Sequence, residues 1–323
     1  MSTNKSLYVV GPTSSGKSDF AIDLAKEFSG EVIGCDSRQI YRHMNIGAGK
    51  ESGKIVKRSG RPSVTSHPYV VDGVDHFMID THHPNTDYNA GKFIARARRI
   101  QSDIARRGSL PIICGGTMFW AQGLLEGVSL PHVSSDPALR KELETQATET
   151  LLKRLASRDP RRYKAILTTQ DQANRPRIIR ALEIVAVLGS VPPEPSVDYN
   201  LLNQNNLIIV PEWSTQEIRD RIKLRLDNRL DAGMLDEVYA LHHTHGVAWS
   251  RLMRFGLEYD WCTRYIRGDI SQEVFLTGLE NASYKYAKRQ NTWLRRWEKK
   301  GAKIHYVKNS QEALDLTENF LPE

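Results

Sequence analysis

A mainly parallel α/β sheet flanked by helices, with a small helical domain inserted into it, is the fold that this 323-residue sequence predicts. Three observations predict it. Short Val- and Ile-rich runs alternate with helix-period segments through the first third, the pattern of a parallel sheet covered on both faces. A glycine-rich loop joins the first such run directly to the first helix. From about residue 127 the strand signals stop and charged helical periods take over, until a returning apolar run near 206.

The elements follow in order. Leu7–Val10 reads as the first strand, and Phe20, Ala21, Leu24, Ala25 and Phe28 lie on one face of the helix after it. Glu31–Cys35 is a second strand, ending at Asp36-Ser37. Residues 45–75 are rich in Gly, Ser, Lys and Pro and read as a partly mobile loop. Phe93–Ile104 has helical spacing, and Leu110–Cys114 is another strand running into Gly115-Gly116-Thr117. Thr117 is placed to N-cap a helix through Leu125. Residues 127–200 form the helical insert, interrupted near Val191–Pro195. Asn206–Val210 returns to the main sheet, and 215–245 and 271–300 are amphipathic helices. The core domain is thus 1–126 together with 201–323.

Gly11-Pro12-Thr13-Ser14-Ser15-Gly16-Lys17-Ser18 fits the G-x-x-x-x-G-K-[ST] loop in full, in its required strand-to-helix context. Such a loop curls backbone N–H groups around phosphate oxygens, and the helix N-terminus adds favourable potential. Lys17 is expected to hold outer phosphate oxygens. The Ser18 hydroxyl is expected to bind a phosphate-bridging Mg²⁺ ion. The fold is therefore expected to be P-loop NTPase-like. Motor ATPases and GTPases place a metal-binding acid after a later strand. Here Leu110–Cys114 runs into Gly-Gly-Thr, which points to group transfer.

Composition narrows the class. Forty-five Lys and Arg against 38 Asp and Glu give a formal charge of +7, which raises the prior for a nucleic-acid or polyphosphate partner. No run of 18 apolar residues is present, so no membrane span is expected. The stretch before the first strand is too short for a leader peptide, and Cys35, Cys114 and Cys262 form no C-x-x-C pair. A reducing cytoplasm is the expected location.

In open α/β sheets ligands bind beyond the carboxyl ends of the strands, so Gly11–Ser18, Asp36–Gln39 and Gly115–Thr117 should share one crevice. Asp36 would orient magnesium or take a proton there; the alternative is a turn or cap residue. Two basic clusters stand out. One holds Lys153, Arg154, Arg158, Arg161, Arg162, Lys164, Arg175, Arg177 and Arg180. The other spans Lys285 to Lys300 and is interleaved with Tyr284, Tyr286, Trp293 and Trp297. Both suit a nucleic-acid backbone with stacked bases, or equally a solvated helix face with its aromatics turned inward. Arg221, Arg225 and Arg229 share a helix face, from which one residue reaches the phosphate site or all remain on the surface. His242-His243-x-His245 lacks a completing ligand and reads as a helix end.

With these segments assembled, the chain resembles the tRNA dimethylallyltransferases along nearly its whole length. The loop Gly11–Ser18, Asp36-Ser37-Arg38-Gln39-Ile40-Tyr41, Gly47-Ala48-Gly49-Lys50, His76–Asp80, Asp87–Phe93, Gly115–Thr117, Asp136–Arg140, Pro176–Glu183 and Ala287–Trp293 are similar, in order, to that family's segments. The resemblance implies magnesium-dependent transfer of a dimethylallyl group from dimethylallyl diphosphate to the N6 amine of the adenine 3′-adjacent to the anticodon in tRNA. It implies Asp36 as general base, and Thr13–Ser18 with Arg221 at the diphosphate. It also implies tRNA contacts through Asp36, Ser37, Arg38, Gln39, Thr117, Arg140, Pro176, Arg177, Ile178, Ile179 and Arg180. Trp120 stands where the family often has Tyr, Arg254–Tyr259 matches only in part, and 50–75 is longer than usual. The C-terminus lacks the zinc-finger extension of eukaryotic members, which makes a bacterial-type, cytoplasmic enzyme the expectation; separately, a monomer is expected. The alternatives are an adenylate isopentenyltransferase acting on a free nucleotide, a small-molecule kinase, and a non-catalytic RNA-binding protein.

Overall fold

The computed structural model describes residues 5–128, 131, 133–134, 136–168, 172–193 and 196–321. Backbone proximity divides the chain into two units, Met1–Gly127 with Val197–Glu323, and Val128–Ser196.

In the first unit, β1 (Ser6–Val10) leads through the glycine loop into α1 (Lys17–Glu27) and β2 (Gly30–Gly34). Next come β3 (Lys54–Ile55), β4 (Tyr69–Val71), β5 (Val74–Phe77), α2 (Ala90–Arg106), β6 (Leu110–Gly115) and α3 (Met118–Leu125). The second unit holds α4 (Pro137–Thr145), α5 (Thr148–Arg158), α6 (Pro160–Thr168) and α7 (Arg175–Leu188). The chain then returns through α8 (Tyr199–Asn205), β7 (Asn206–Pro211), α9 (Thr215–Asp231), α10 (Met234–His243), α11 (Trp249–Phe255), α12 (Leu257–Ile266), α13 (Gln272–Lys300), β8 (Ile304–Val307) and α14 (Ser310–Phe320).

The eight strands run in the order β3-β4-β5-β2-β6-β1-β7-β8. All neighbours from β5 to β8 are parallel, and the β3–β4–β5 edge is antiparallel. Leu7, Val9, Val32, Ile112, Leu207 and Ile209 pack with Phe20, Ile22 and Leu24 of α1 and Ala313 of α14 on one face. Strand side chains alternate between faces, so Tyr8 and Val10 turn to the other one. There α2 lies on β2 and β6, and α3 on β1 and β6. The insert has its own core of Leu143, Leu151, Leu155, Ile166, Ile178 and Ile184. Among the described residues, no helix is long and apolar enough to cross a membrane.

Several expectations need correction. The stretch 45–75 is not simply loop, because it contributes β3, β4 and the start of β5. Its polar residues are ordered by charge pairing. Asp75 binds Arg58 and Arg61 at 2.7 Å each, Glu31 pairs with Arg61 and Arg107, and the Thr65 hydroxyl donates to Asp103 at 2.7 Å. The insert's far boundary falls at Ser196 rather than 200, since α8 lies against β7. Thr117 holds the N-cap position of α3, but its side chain does not cap. The hydroxyl serves another partner, described below. Two helices, α11 and α12, and the last strand and helix had no sequence signal strong enough to separate them from their neighbours.

Candidate active site

Parallel pairing sets Val10 opposite Gly115 and Gly34 opposite Cys114, so the carboxyl tips of β1, β2 and β6 end side by side. A cleft of about 850 Å³ opens over these tips within the first unit. Its lining includes Thr13, Ser14, Gly16, Lys17, Ser18, Asp36, Ser37, Arg38 and Gln39 together with Gly115 and Gly116. The three sequence segments expected to share a crevice do share one.

The loop geometry follows from its residues. Gly16 has φ +80°, in the left-handed region where glycine carries no Cβ penalty, and Ser14 has φ +64°. Helix α1 starts at Lys17 with no side-chain cap, which leaves its first N–H groups for an anion. The buried hydroxyls of Ser14 and Ser15 have no hydrogen-bond partner within the described chain. Lys17 Nζ donates to the Pro12 carbonyl at 2.6 Å. Burial, reinforced by the nearby Arg225 cation, pushes the Lys17 ammonium down to about 8. A group held that low gains charge stabilisation when a phosphate arrives.

Helices from the last third of the chain brace the loop. Arg221 of α9 donates through Nε to the Ser14 carbonyl at 2.7 Å and stacks on Trp213, 4.2 Å from the ring centre. Trp213 Nε1 donates to Ser15 O at 2.9 Å. Gln290 of α13 accepts from Thr13 N at 2.8 Å. The Arg221 side chain thus binds the loop backbone, and Arg225 joins it in the cleft lining. Burial and the neighbouring Arg229 depress the Arg225 guanidinium to about 10, while Glu258 lies 3.7 Å away. Arg225, Trp213 and Gln290 were missed as site residues. The four-residue arginine spacing pointed at α9, but periodicity alone does not rank its members.

Asp36 follows β2. Its Oδ1 accepts from Arg38 N at 2.8 Å and Gln39 N at 3.4 Å, so half the carboxylate does act as a turn cap. Among the described residues Oδ2 makes no hydrogen bond. The acid interacts electrostatically with Lys17 and Arg225 across the cleft. Thr117 Oγ1 accepts from Ser37 N at 3.0 Å, and Thr117 N donates to Cys35 O at 3.1 Å. Thr117 therefore fixes the acid turn by its side chain. Arg38 is committed to the Phe255 carbonyl at 2.7 Å, and Gln39 to Gly49 O at 2.9 Å. The lip carrying Gly47–Glu51 is held by Glu237, whose carboxylate accepts from Asn45, Ile46 and Gly47 N–H and from the Tyr259 hydroxyl.

The insert residues divide differently. Ile178 and Ile179 are buried in the insert core, so their side chains pack rather than face a ligand. Arg140 grips the buried Glu183 through two bonds, at 3.0 and 2.9 Å, and Arg180 binds it at 3.2 Å. Pro176 is exposed and Arg177 half-buried. Lys153, Arg158 and Lys164 are exposed, and no ion pair engages them among the described residues. Trp120 stacks on Phe93 at 4.5 Å in the core and does not line the cleft. His242 stacks on Trp249 at 3.9 Å, and no group of three metal-binding side chains occurs among the described residues.

Comparison with known proteins addresses the family. The family model described as IPP transferase matches residues 39–297. The chain is 37% identical over 301 residues to tRNA dimethylallyltransferase 2 of Trichlorobacter lovleyi, spanning 93% of this chain and 91% of that one. Its structure is similar to that of the full-length tRNA isopentenylpyrophosphate transferase of Bacillus halodurans, with TM-score 0.66 and 28% identity, covering 98% of this chain and 96% of that one. A second similar structure is the tRNA delta(2)-isopentenylpyrophosphate transferase of Staphylococcus epidermidis, with TM-score 0.63 and 30% identity over 98% of both chains. With the family model spanning most of its length, the chain belongs to the IPP transferase family.

Proposed function

We propose that this chain transfers the dimethylallyl group of dimethylallyl diphosphate to the exocyclic N6 amine of the adenine 3′-adjacent to the anticodon in tRNA. The observation that carries the reading is the sharing of one cleft by the Lys17 loop and the unpaired oxygen of Asp36. The allylic C1–O bond breaks and its electron pair leaves with the diphosphate. A C1–N6 bond forms, and N6 gives up a proton. The loop amides, the Ser14 and Ser15 hydroxyls, Lys17 and Arg225 would stabilise the charge building on the leaving group. Asp36 Oδ2 would take the amine proton, which offsets the poor nucleophilicity of an amine conjugated to a purine. The adenine must leave its stack to enter the cleft.

Magnesium fits the donors present. Ser18 and Glu51 both line the cleft, and the Glu51 carboxyl is raised by burial and by the neighbouring Asp19. These are hard oxygen donors too few for a closed cage, the arrangement that suits an ion sharing its shell with phosphate and water. When bound, the ion would neutralise part of the diphosphate charge. Ser18 and Glu51 are the residues that would hold it.

The exposed Lys153, Arg158 and Lys164 of the insert are the cations we assign to the RNA backbone, together with Pro176 and Arg177 at the start of α7. The test is direct. Purified chain, radiolabelled dimethylallyl diphosphate and Mg²⁺ are offered unmodified tRNA, AMP or a small-metabolite panel with ATP. Label in tRNA alone is expected, and label in AMP alone overturns the reading.

A further inference from the structure

We propose that Gln290 is a positioning residue that sets the spacing between the phosphate loop and the acid-bearing turn. The proposal rests on the transferase reading for what each half binds, and on geometry for their coupling. Strand pairing between β1 and β6 ends at Val10 opposite Gly115, so no ladder joins the segments beyond that point. Gln290 joins them there. Its Oε1 accepts from Thr13 N at 2.8 Å, and its Nε2 donates to Gly116 O at 2.8 Å. The residue after Gly116 holds Ser37 N through its hydroxyl at 3.0 Å, and Ser37 follows Asp36. One side chain from α13 thus connects the diphosphate cradle to the proposed base.

The side-chain type matters. A planar amide offers a donor and an acceptor on two separate atoms of one group; an ionised carboxylate offers acceptors alone and a thioether almost nothing. Gln290 is 2% exposed, so water does not substitute for either bond. Gly116 makes the approach possible, because a Cβ there would sit 2.3 Å from Gln290 Nε2. Tyr286 also donates to Gly116 O, at 3.3 Å, so removal of the amide leaves that carbonyl with a partner and favours a folded variant.

The experiment uses the full chain with Gln290→Met and the isosteric Gln290→Glu. Three readouts are taken: calorimetric affinity for dimethylallyl diphosphate without RNA, single-turnover transfer, and tRNA affinity. Misplacing the two halves by about 1 Å is expected to slow Gln290→Met by up to about 10²-fold and to weaken diphosphate binding about tenfold, with tRNA affinity within about twofold. For Gln290→Glu, protonation restores an O–H donor toward Gly116 O, so its deficit relative to wild type should shrink as pH falls from about 8 to about 6. A folded Gln290→Met with wild-type transfer and diphosphate affinity overturns the proposal. So do parallel pH profiles for Gln290→Glu and wild type, which serve alone if the Met variant does not fold. If wild type transfers nothing to tRNA, yet diphosphate affinity still drops in the variants, the transferase reading fails and the loop-positioning role stands.

Discussion

Lys17 gives the sharpest quantitative handle on the cleft. Burial holds its ammonium near a pKa of about 8 in the free protein. At pH 7 about nine-tenths of the molecules then carry the proton, and at pH 9 about one-tenth. A bound diphosphate places negative charge against Nζ and raises the bound-state pKa above that window, so binding above pH 8 must take up a proton. Affinity for dimethylallyl diphosphate should therefore fall about tenfold between pH 7 and pH 9, or about 1.4 kcal/mol. The ligand contributes little, because a terminal phosphate's last proton leaves near pH 6. Arg225, depressed to about 10, is still about nine-tenths protonated at pH 9, and no histidine lines the cleft among the described residues. Calorimetry without RNA measures the effect. Lys17→Arg, charged throughout, should bind with nearly flat pH dependence. A change below about twofold in wild type, or an equal slope in Lys17→Arg, would refute the reasoning.

Other outcomes follow from the same geometry. Asp36→Asn keeps the turn-capping oxygen and removes the base, so kcat should drop by about 10²–10⁴-fold with tRNA affinity retained; a loss under about threefold removes Asp36 from that role. In Gly115→Ala the new Cβ would lie 2.2 Å from the Cys35 carbonyl oxygen at φ +159°, and backbone strain plus overpacking should cost about 2–6 kcal/mol in denaturant titration. An unchanged midpoint would show that the two strand tips can separate. Glu183→Ala takes the shared carboxylate from Arg140 and Arg180, which are 41% and 36% exposed and can rehydrate. The loss should be about 2–3 kcal/mol, below the full value of a buried pair, and under about 1 kcal/mol would contradict the assigned network. Neutralising Lys153, Arg158 and Lys164 together should lower the slope of log affinity for tRNA against log salt by about 2–3; an unaltered slope would place the RNA elsewhere.

How much of this was legible in the sequence depends on whether a residue acts locally. The loop Gly11–Ser18 and the acid at Asp36 sit directly after strands, so their place at the sheet's carboxyl edge follows from chain order alone. Thr117 was found by position but assigned the wrong partner, because a hydroxyl at a helix start usually caps and here reaches across to Ser37. Gln290 and Trp213 touch the loop from 277 and 198 residues away, a separation that no local pattern reports. The arginines of the insert looked alike as charges. The buried Glu183 distinguishes Arg140 and Arg180 from Arg158, which is exposed and enters no ion pair among the described residues. The segment 50–75 misled for a related reason: its polar composition signals a loop, while Arg58 and Arg61 are tied to Asp75, and Arg61 also to Glu31.

The position of β1 between β6 and β7 has a consequence for biosynthesis. As the polypeptide emerges from the ribosome, Leu7–Val10 can acquire its β6 neighbour once about a third of the message is read, but the other margin stays bare until Asn206–Pro211 is translated. Throughout that interval the nascent product presents an unsatisfied apolar strand border of the kind that recruits other chains. A truncated product ending before residue 206 is thus expected to aggregate or engage chaperones, and a stop codon there would abolish solubility as well as catalysis.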